Sequence, residues 1–329
     1  MLIDTYGRVA TDLRVSLTDK CNLRCTYCMP EEGLQWLTKT ELLTDDEIVR
    51  LIGLAVTRLG IEEIRFTGGE PLLRPGLVGI VERCAALEPR PRMSLTTNGI
   101  GLVRTAAALK AAGLDRVNVS LDTLRPDAFK ALTRRDRHRD VLDGLRAARD
   151  AGLTPVKVNT VLMPGVNEDE APDLLAWAVE HGYELRFIEQ MPLDAQHGWK
   201  RDSMVTAGDI LASLRTRFTL TEESGTARGS APAERWLVDG GPHRVGVIAS
   251  VTRPFCGACD RTRLTADGQV RTCLFAREET DLRAALRSGA PDEEIATLWK
   301  LAMWGKKAGS GLDDPAFLQP DRPMSAIGG

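Results

Sequence analysis

Six short β-rich runs, each followed by a helical stretch, constrain this chain more than any other feature. They are "LRVSLT" (13–18), "EIRFT" (63–67), "MSLTTN" (93–98), "RVNVSLD" (116–122), "PVKVNTVL" (155–162) and "ELRFIEQM" (184–191). Strands separated by helices form parallel sheets, because a parallel pair needs a crossover long enough to hold a helix. The stretch "TDDEIVRLIGLAVTRLG" (44–60) carries helical periodicity, with Thr44 as N-cap, Glu47 completing a capping box and Gly60 at the end. Six units fall short of the eight that close a TIM barrel. The expected fold class is therefore α/β, an incomplete (β/α)6 partial TIM-type barrel. The rhythm stops near residue 220. "GTARGSAPAE" (225–234) reads as a loop, and a cysteine-bearing region follows. The chain divides accordingly into a barrel core, 1–220, and a C-terminal region, 221–329, expected to close the lumen.

Side chains alternate across a strand, so one parity of each run faces one side of the sheet. One parity gives Arg14, Ser16 and Thr18, then Arg65 and Thr67, then Ser94, Thr96 and Asn98. The later strands give Asn118, Ser120 and Asp122, then Lys157 and Asn159, then Arg186. The other parity is mostly Leu, Val, Ile and Phe. A packed barrel interior is apolar, so a polar face on every strand predicts a hydrated or ligand-filled lumen. Glu189 falls on the opposite parity from Arg186, which a bulge would explain. Buried cations are costly unless paired. Asp122 and Glu189 offer internal partners, but four converging cations (Arg14, Arg65, Lys157 and Arg186) point to a polyanionic ligand. No G-x-x-x-x-G-K-[ST] loop occurs, so side chains must hold any phosphates.

The net charge of -3 gives no basic field for nucleic acid. The mixed-sign run "RRDRHRD" (134–140) reads as a solvated helix start. No apolar run is long enough to span a bilayer, and the first residues lack the apolar core of a signal peptide. A cytoplasmic location is expected, where cysteines bind metal or do catalysis rather than form structural disulfides.

Cys84 lies in the apolar helical pattern "GLVGIVERCAAL" and reads as an inert buried thiol. The other six cysteines form two triples. In "CNLRCTYC" (21–28), directly after the first strand, Cys21, Cys25 and Cys28 stand in C-x3-C-x2-C spacing. That places them at the C-terminal mouth of the barrel, where active sites collect. Zinc would want a fourth Cys or His, and a ferredoxin-type cluster a fourth cysteine in other spacings. A 4Fe–4S cluster with three protein ligands and one open iron fits a triple with no fourth ligand nearby. Cys256, Cys259 and Cys273 form a second triple, C-x2-C-x13-C. A zinc knuckle completed by His243 is one reading, and a second cluster with its own open iron the sharper one. The four histidines are scattered, and none forms H-E-x-x-H.

C-x3-C-x2-C with an aromatic before the last cysteine, here Tyr27, resembles the signature of radical S-adenosylmethionine enzymes. In that family the methionine amino and carboxylate groups chelate the open iron, and an electron from the cluster cleaves the sulfonium to a 5′-deoxyadenosyl radical. The resemblance assigns "TGGEP" (67–71), with Gly69, to the methionine moiety, Ser120 to the cofactor and Met191 to its adenine. Both triples together with "LTTNGI", "VKVNTVLMPGVN", "FCGACDRTRLTADGQVRTCLF" and the terminal "IGG" resemble, over nearly the whole chain, the family that cyclises GTP in molybdenum cofactor biosynthesis.

This resemblance implies two 4Fe–4S clusters, S-adenosylmethionine as cofactor and GTP as substrate, the second cluster binding guanine. It assigns Arg14, Arg65, Thr96, Lys157, Arg261, Thr262 and Arg263 to GTP. It makes Arg14, Gly328 and Gly329 catalytic, the Gly-Gly tail entering the lumen for cyclisation. The implied reaction removes the C3′ hydrogen of the ribose and joins C3′ to C8, giving 3′,8-cyclo-7,8-dihydro-GTP. The implied partners are a flavodoxin- or ferredoxin-like reductant, a downstream pyranopterin-forming enzyme and a second copy in a homodimer. Glu63 stands where the family can carry a lysine. A peptide-modifying radical enzyme with an auxiliary cluster is the alternative within the same fold.

Overall fold

The computed structural model describes residues 1–223 and 228–328. A two-stranded ribbon, β1 (Leu2–Ile3) and β2 (Val9–Ala10), leads into β3 (Asp12–Ser16). The βα units follow in the order read from the sequence. They are α1 (Asp45–Leu59), β4 (Glu63–Thr67), α2 (Leu77–Ala85), β5 (Arg92–Thr97), α3 (Leu102–Ala111) and β6 (Arg116–Ser120), then α4 (Pro126–Thr133), α5 (His138–Asp150), β7 (Lys157–Val161), α6 (Ala171–His181), β8 (Glu184–Ile188) and α7 (Ala207–Arg215). Helix α1 starts at the Thr44–Glu47 capping box, both halves of which form.

Beyond α7 come β9 (Leu220–Glu222), β10 (Glu234–Val238), β11 (Arg244–Ile248), β12 (Arg261–Leu264), β13 (Gln269–Arg271) and β14 (Thr280–Asp281), then α8 (Leu282–Arg287), α9 (Asp292–Trp304) and α10 (Met324–Ile327). The strands from β3 onward form one sheet in the order β14-β13-β12-β3-β4-β5-β6-β7-β8-β11-β10-β9. Strands β3 to β8 are all parallel. The C-terminal region lengthens this run at both edges. Strand β12 pairs parallel with β3, setting Arg261 opposite Asp12 and Arg263 opposite Arg14. Strand β11 pairs parallel with β8. Antiparallel strands finish each edge, so the barrel stays open.

The apolar parity packs beneath the helices. Leu13, Val15, Phe66, Leu95, Val117, Val119, Val158, Leu185 and Phe187 are fully buried there, against faces such as Ile48, Leu51, Ile52 and Leu59 of α1. Cutting a side chain such as Phe66 to Ala at this interface costs about 3–5 kcal/mol. Its burial frees the other parity to line the lumen. Glu189 needs no bulge, because β8 ends at Ile188. Its carboxylate instead accepts from the backbone N–H of Ala207 and Val251 at 2.8 Å and of Thr252 at 2.9 Å, tying α7 and the segment after β11 to the end of β8.

Candidate active site

A cavity of about 340 Å³ opens at the C-terminal ends of the strands, and both cysteine triples line it. Cys21, Cys25 and Cys28 lie on the loop after β3. Cys256 and Cys259 precede β12, and Cys273 follows β13. Because β12 pairs with β3, residues more than two hundred positions apart share one wall. Among the described residues, no three His, Cys, Asp or Glu side chains converge closely enough to hold a single metal ion. Two cysteine triples, each one ligand short of a four-coordinate zinc site, suit 4Fe–4S clusters in which three of the irons take a thiolate each. His243 is exposed in the turn between β10 and β11 and does not line the cavity.

Burial raises Cys21 to about 11 and Cys28 to about 12, and it holds Cys25 well above the usual thiol range. Bare thiolates are therefore disfavoured in the first triple, and a metal cation held there would supply the charge that offsets their burial. Cys259 differs. Burial raises it too, but Lys306 and Arg261 outweigh that effect and bring it below the ordinary value.

The first triple sits in a polar frame. The Tyr27 hydroxyl donates to Asp122 Oδ2 at 2.6 Å, and Asp122 also accepts from the Val161 N–H at 2.9 Å. Asn98 Nδ2 donates to Asn22 Oδ1 at 2.6 Å, inside the cysteine loop. Glu70, fully buried, accepts from Thr97 Oγ1 at 2.6 Å and from the Asn98 N–H at 2.7 Å. Burial lifts its pKa to about 7 despite these donors. The two glycines of "TGGEP" are needed by their own backbone. A Cβ on Gly68 would stand 2.3 Å from Thr18 O, and one on Gly69 2.3 Å from Lys20 O. The turn after β4 thus lies directly against the segment that carries Cys21, while both glycines also border the cavity. Ser120 and Met191 line it as well, Met191 from the loop beyond β8.

Between the triples runs a cationic wall. Arg14, Arg65, Arg186, Arg261 and Arg263 line the cavity, four of them buried and Arg65 partly so, with Thr96 and Asn159 beside them. One carboxylate, Asp12, faces three of these cations. Its Oδ2 lies 3.9 Å from Arg14 Nη2, 3.8 Å from Arg65 Nη2 and 3.8 Å from Arg261 Nε. Asp122 and Glu189, the partners offered by the sequence, bind other groups. Among the described residues, Nε of Arg14, Arg186 and Arg261 and Oδ1 of Asp12 and Asn159 have no hydrogen-bond partner. Burial and the neighbouring Arg65 push Arg14 well below its ordinary value, burial being the larger cause. Burial also pushes Arg186 to about 9 and Arg263 to about 10. Asp12, with Asp260 Oδ1 3.9 Å from Arg261 Nη2, is outnumbered by the converging guanidiniums, leaving excess positive charge and unmade hydrogen bonds, a site complementary to an anion with several oxygens.

The C-terminal tail reaches this wall. Ser16 Oγ donates to Ile327 O at 3.0 Å, and Arg263 Nη1 donates to Gly328 O. Gly328 has φ +81°, and a Cβ there would meet Ser16 Oγ at 2.3 Å and Thr67 Cγ2 at 2.7 Å. Gly329 lies outside the described residues.

Among the described residues, three assigned residues stand apart from the cavity lining: Gly328, placed above, Lys157 and Thr262. Lys157 occupies the first position of β7, one pleat below Asn159 on the same face, and Glu184 Oε1 lies 3.4 Å from its Nζ. Burial brings it down to about 8, with Glu184 opposing. The Thr262 side chain faces away from the lumen, because it sits between Arg261 and Arg263 on β12 and accepts from Trp299 Nε1 of α9 at 3.1 Å. The period of two already carried that signal. Asp12, Glu70 and Lys306 were not singled out from the sequence. Asp12 shares the parity of Arg14, whereas nothing local marks Glu70 or Lys306.

Residues 15–178 match the radical SAM superfamily, and residues 183–312 match the family described as Molybdenum Cofactor Synthesis C. The GTP 3′,8-cyclase of Streptomyces coelicolor is 88% identical over 329 residues, covering 100% of this chain and 96% of that protein. GTP 3′,8-cyclase 2 of Mycobacterium tuberculosis is 61% identical over 332 residues, covering 100% and 92%. Among solved structures, Streptococcus suis SuiB bound to S-adenosylmethionine superposes with a TM-score of 0.62 at 12% identity, over 94% of this chain and 67% of that one, a likeness of fold. With both triples on one cavity and this identity over its full length, the chain belongs to the radical SAM superfamily and, within it, to the GTP 3′,8-cyclase family.

Proposed function

We infer that this enzyme converts GTP to 3′,8-cyclo-7,8-dihydro-GTP, the first step of molybdenum cofactor biosynthesis, with two 4Fe–4S clusters and S-adenosylmethionine. The observation that carries this reading is the joint presence of both cysteine triples and five arginines on one cavity. Cys21, Cys25 and Cys28 would hold a cluster supplying one-electron reduction for cleavage of S-adenosylmethionine, and Cys256, Cys259 and Cys273 would hold a second offering a Lewis-acidic site for guanine.

The chain's own residues do the rest. The Gly68–Gly69 turn keeps the cavity edge free of side chains beside the first triple, leaving room for the methionine moiety. Tyr27, locked onto Asp122, Ser120 and Met191 form the wall assigned to the rest of the cofactor. Arg14, Arg65, Arg261 and Arg263 take the phosphates and relieve the burden on Asp12, with Thr96 and Lys157 adding contacts. Arg263 holds the Gly328 carbonyl, so it reads both tail and substrate and couples one to the other. Glu63 pairs with Arg92 at 2.8 Å, so no cation stands at that position for the phosphates. The cavity mouth lies among the cysteine loops, where a flavodoxin- or ferredoxin-like reductant would deliver its electron. The product passes to a pyranopterin-forming enzyme, and a homodimer is the expected assembly. Among the described residues no helix is long and apolar enough to cross a membrane.

The test is iron and sulfide content together with product analysis under anaerobic conditions. Wild-type protein should carry two clusters and form the cyclic product from GTP. Cys273→Ala should lose GTP turnover but keep slow cleavage of S-adenosylmethionine. Normal cyclic product from a Cys273→Ala protein holding one cluster would overturn the reading.

A further inference from the structure

Lys306 follows α9 by two residues and is 3% exposed, yet nothing in the assignments above uses it. Its ammonium donates to Arg261 O at 2.9 Å, to Cys259 O at 3.2 Å and to Cys259 Sγ at 3.4 Å. Those acceptors are two carbonyls and a sulfur, and none is a carboxylate. A buried ammonium is costly unless a negative charge sits beside it. The group in reach that can carry negative charge is the Cys259 sulfur, a thiolate once it ligates iron. Arg261 Nη1 approaches the same sulfur at 3.8 Å. The backbone is built to keep Lys306 there. Arg8 Nη1 donates to Cys256 O at 2.7 Å and to Ala308 O at 2.8 Å, and Arg8 Nη2 donates to Lys307 O at 2.6 Å. Arg8 is itself held by Asp4 at 2.6 Å. One arginine therefore clamps the segment after α9 onto the loop carrying the second triple.

The first triple has a different setting. Its nearest buried titratable neighbours include the acids Glu70 and Asp122, and the described hydrogen bond to Cys21 Sγ comes from the neutral amide of Asn98 at 4.0 Å. Arg24 reaches the first triple at the Cys21 carbonyl, 2.7 Å away, whereas at the second triple the Lys306 ammonium lies on a sulfur itself.

We propose that Lys306 is a positioning residue for the second cluster, its ammonium bonded to the Cys259 sulfur so that it retains that cluster and raises its reduction potential. The proposal rests on the two-cluster reading above. Adding an electron makes a thiolate-bound cluster more negative, so a cation on one sulfur favours the reduced state. Lys306 does not line the cavity, so its effect passes through Cys259.

The experiment uses the anaerobically purified full chain and its Lys306→Met and Lys306→Arg variants. Iron and sulfide are counted, and the clusters are titrated with dithionite and mediators under electron paramagnetic resonance. The second cluster is identified by its spectral response to GTP, and the first by its response to S-adenosylmethionine. Lys306→Met should disfavour reduction of the GTP-responsive cluster about tenfold, which is 59 mV for a one-electron couple. The other cluster should keep its potential, and Lys306→Arg should recover most of the shift. Loss of the second cluster's iron in Lys306→Met, with retention in Lys306→Arg, also supports the proposal. An unchanged potential at full iron content in Lys306→Met overturns it, as does equal loss of the cluster in both variants, which would mark a packing role. A wild-type protein with iron for only one cluster would instead refute the two-cluster reading, and this proposal with it.

Discussion

The tail gives the sharpest test of how this lumen works, through the single substitution Gly328→Ala. Gly328 sits at φ +81°, where an L side chain costs about 1–2 kcal/mol. The new Cβ would also stand 2.3 Å from Ser16 Oγ and 2.7 Å from Thr67 Cγ2. Neither neighbour yields freely, since both are buried side chains of barrel strands. Rotating Ser16 away forfeits its 3.0 Å hydrogen bond to Ile327 O, a net loss of about 1 kcal/mol. Strain and lost contact together weaken docking of the tail by about 2–3 kcal/mol, or roughly thirty- to 150-fold. The last four-residue helix, Met324–Ile327, can undock without unfolding the sheet, so the thermal midpoint should barely move. Arg263, which lines the cavity, then loses the Gly328 carbonyl that it holds. The assay is GTP deuterated at C3′, incubated with S-adenosylmethionine and reductant. Both clusters and cleavage of S-adenosylmethionine should persist, while deuterium transfer into 5′-deoxyadenosine falls by more than tenfold. Undiminished transfer from Gly328→Ala protein would refute the reasoning and make the docked tail a bystander.

Replacing Cys21, Cys25 or Cys28 with Ala should abolish cleavage of S-adenosylmethionine, and 5′-deoxyadenosine at the wild-type rate from any of them would refute the first cluster's assignment. Arg14→Ala and Arg263→Ala should each weaken GTP by about ten- to a hundredfold with both clusters intact, since a charge-assisted contact contributes about 1.5–3 kcal/mol. Lys157→Ala should cost less, because phosphate there displaces the existing Glu184 contact. Equilibrium binding decides, and unchanged affinity in all three would return the cations to a structural role. Glu70 is raised from 4.5 to about 7 by burial, so the folded protein holds its proton more tightly than the unfolded chain. Its contribution is full below pH 4.5 and is lost as pH rises through about 7, a span of about 3 kcal/mol. Denaturant unfolding at pH 5 and pH 7 should show that decline in the wild type and its loss in Glu70→Gln; equal slopes would mean that Glu70 does not titrate in this range.

Local features of this protein were legible because they are periodic or adjacent in the chain. Alternation along "EIRFT" and "PVKVNTVL" gives a strand and its polar face without any knowledge of neighbours. The Thr44–Glu47 box marks the start of α1 within four residues, and C-x3-C-x2-C lies within eight. Thr262 shows the limit of motif transfer: it lies between two lumen arginines, and alternation alone turns its side chain to Trp299. Periodicity says which face a residue takes but not how deep it lies, so Lys157 and Asn159 read alike although only Asn159 lines the cavity.

Tertiary structure decided which distant segments share a wall. The sequence ends its strand–helix rhythm near residue 220, yet β12 and β11 extend the parallel sheet at its two edges. Nothing local in "RTRL" points to β3, because that pairing spans nearly 250 residues and is fixed by backbone hydrogen bonds available to any sequence. The pairing brings Arg261 and Arg263 to Arg14 and Asp12, the second triple to the cavity of the first, and Lys306 to Cys259. The sequence by itself therefore determined the parts: six strands, two triples and a set of cations. Only the pairing of distant segments onto the two edges of the sheet, a matter of register and loop path rather than residue type, set those parts around one cavity.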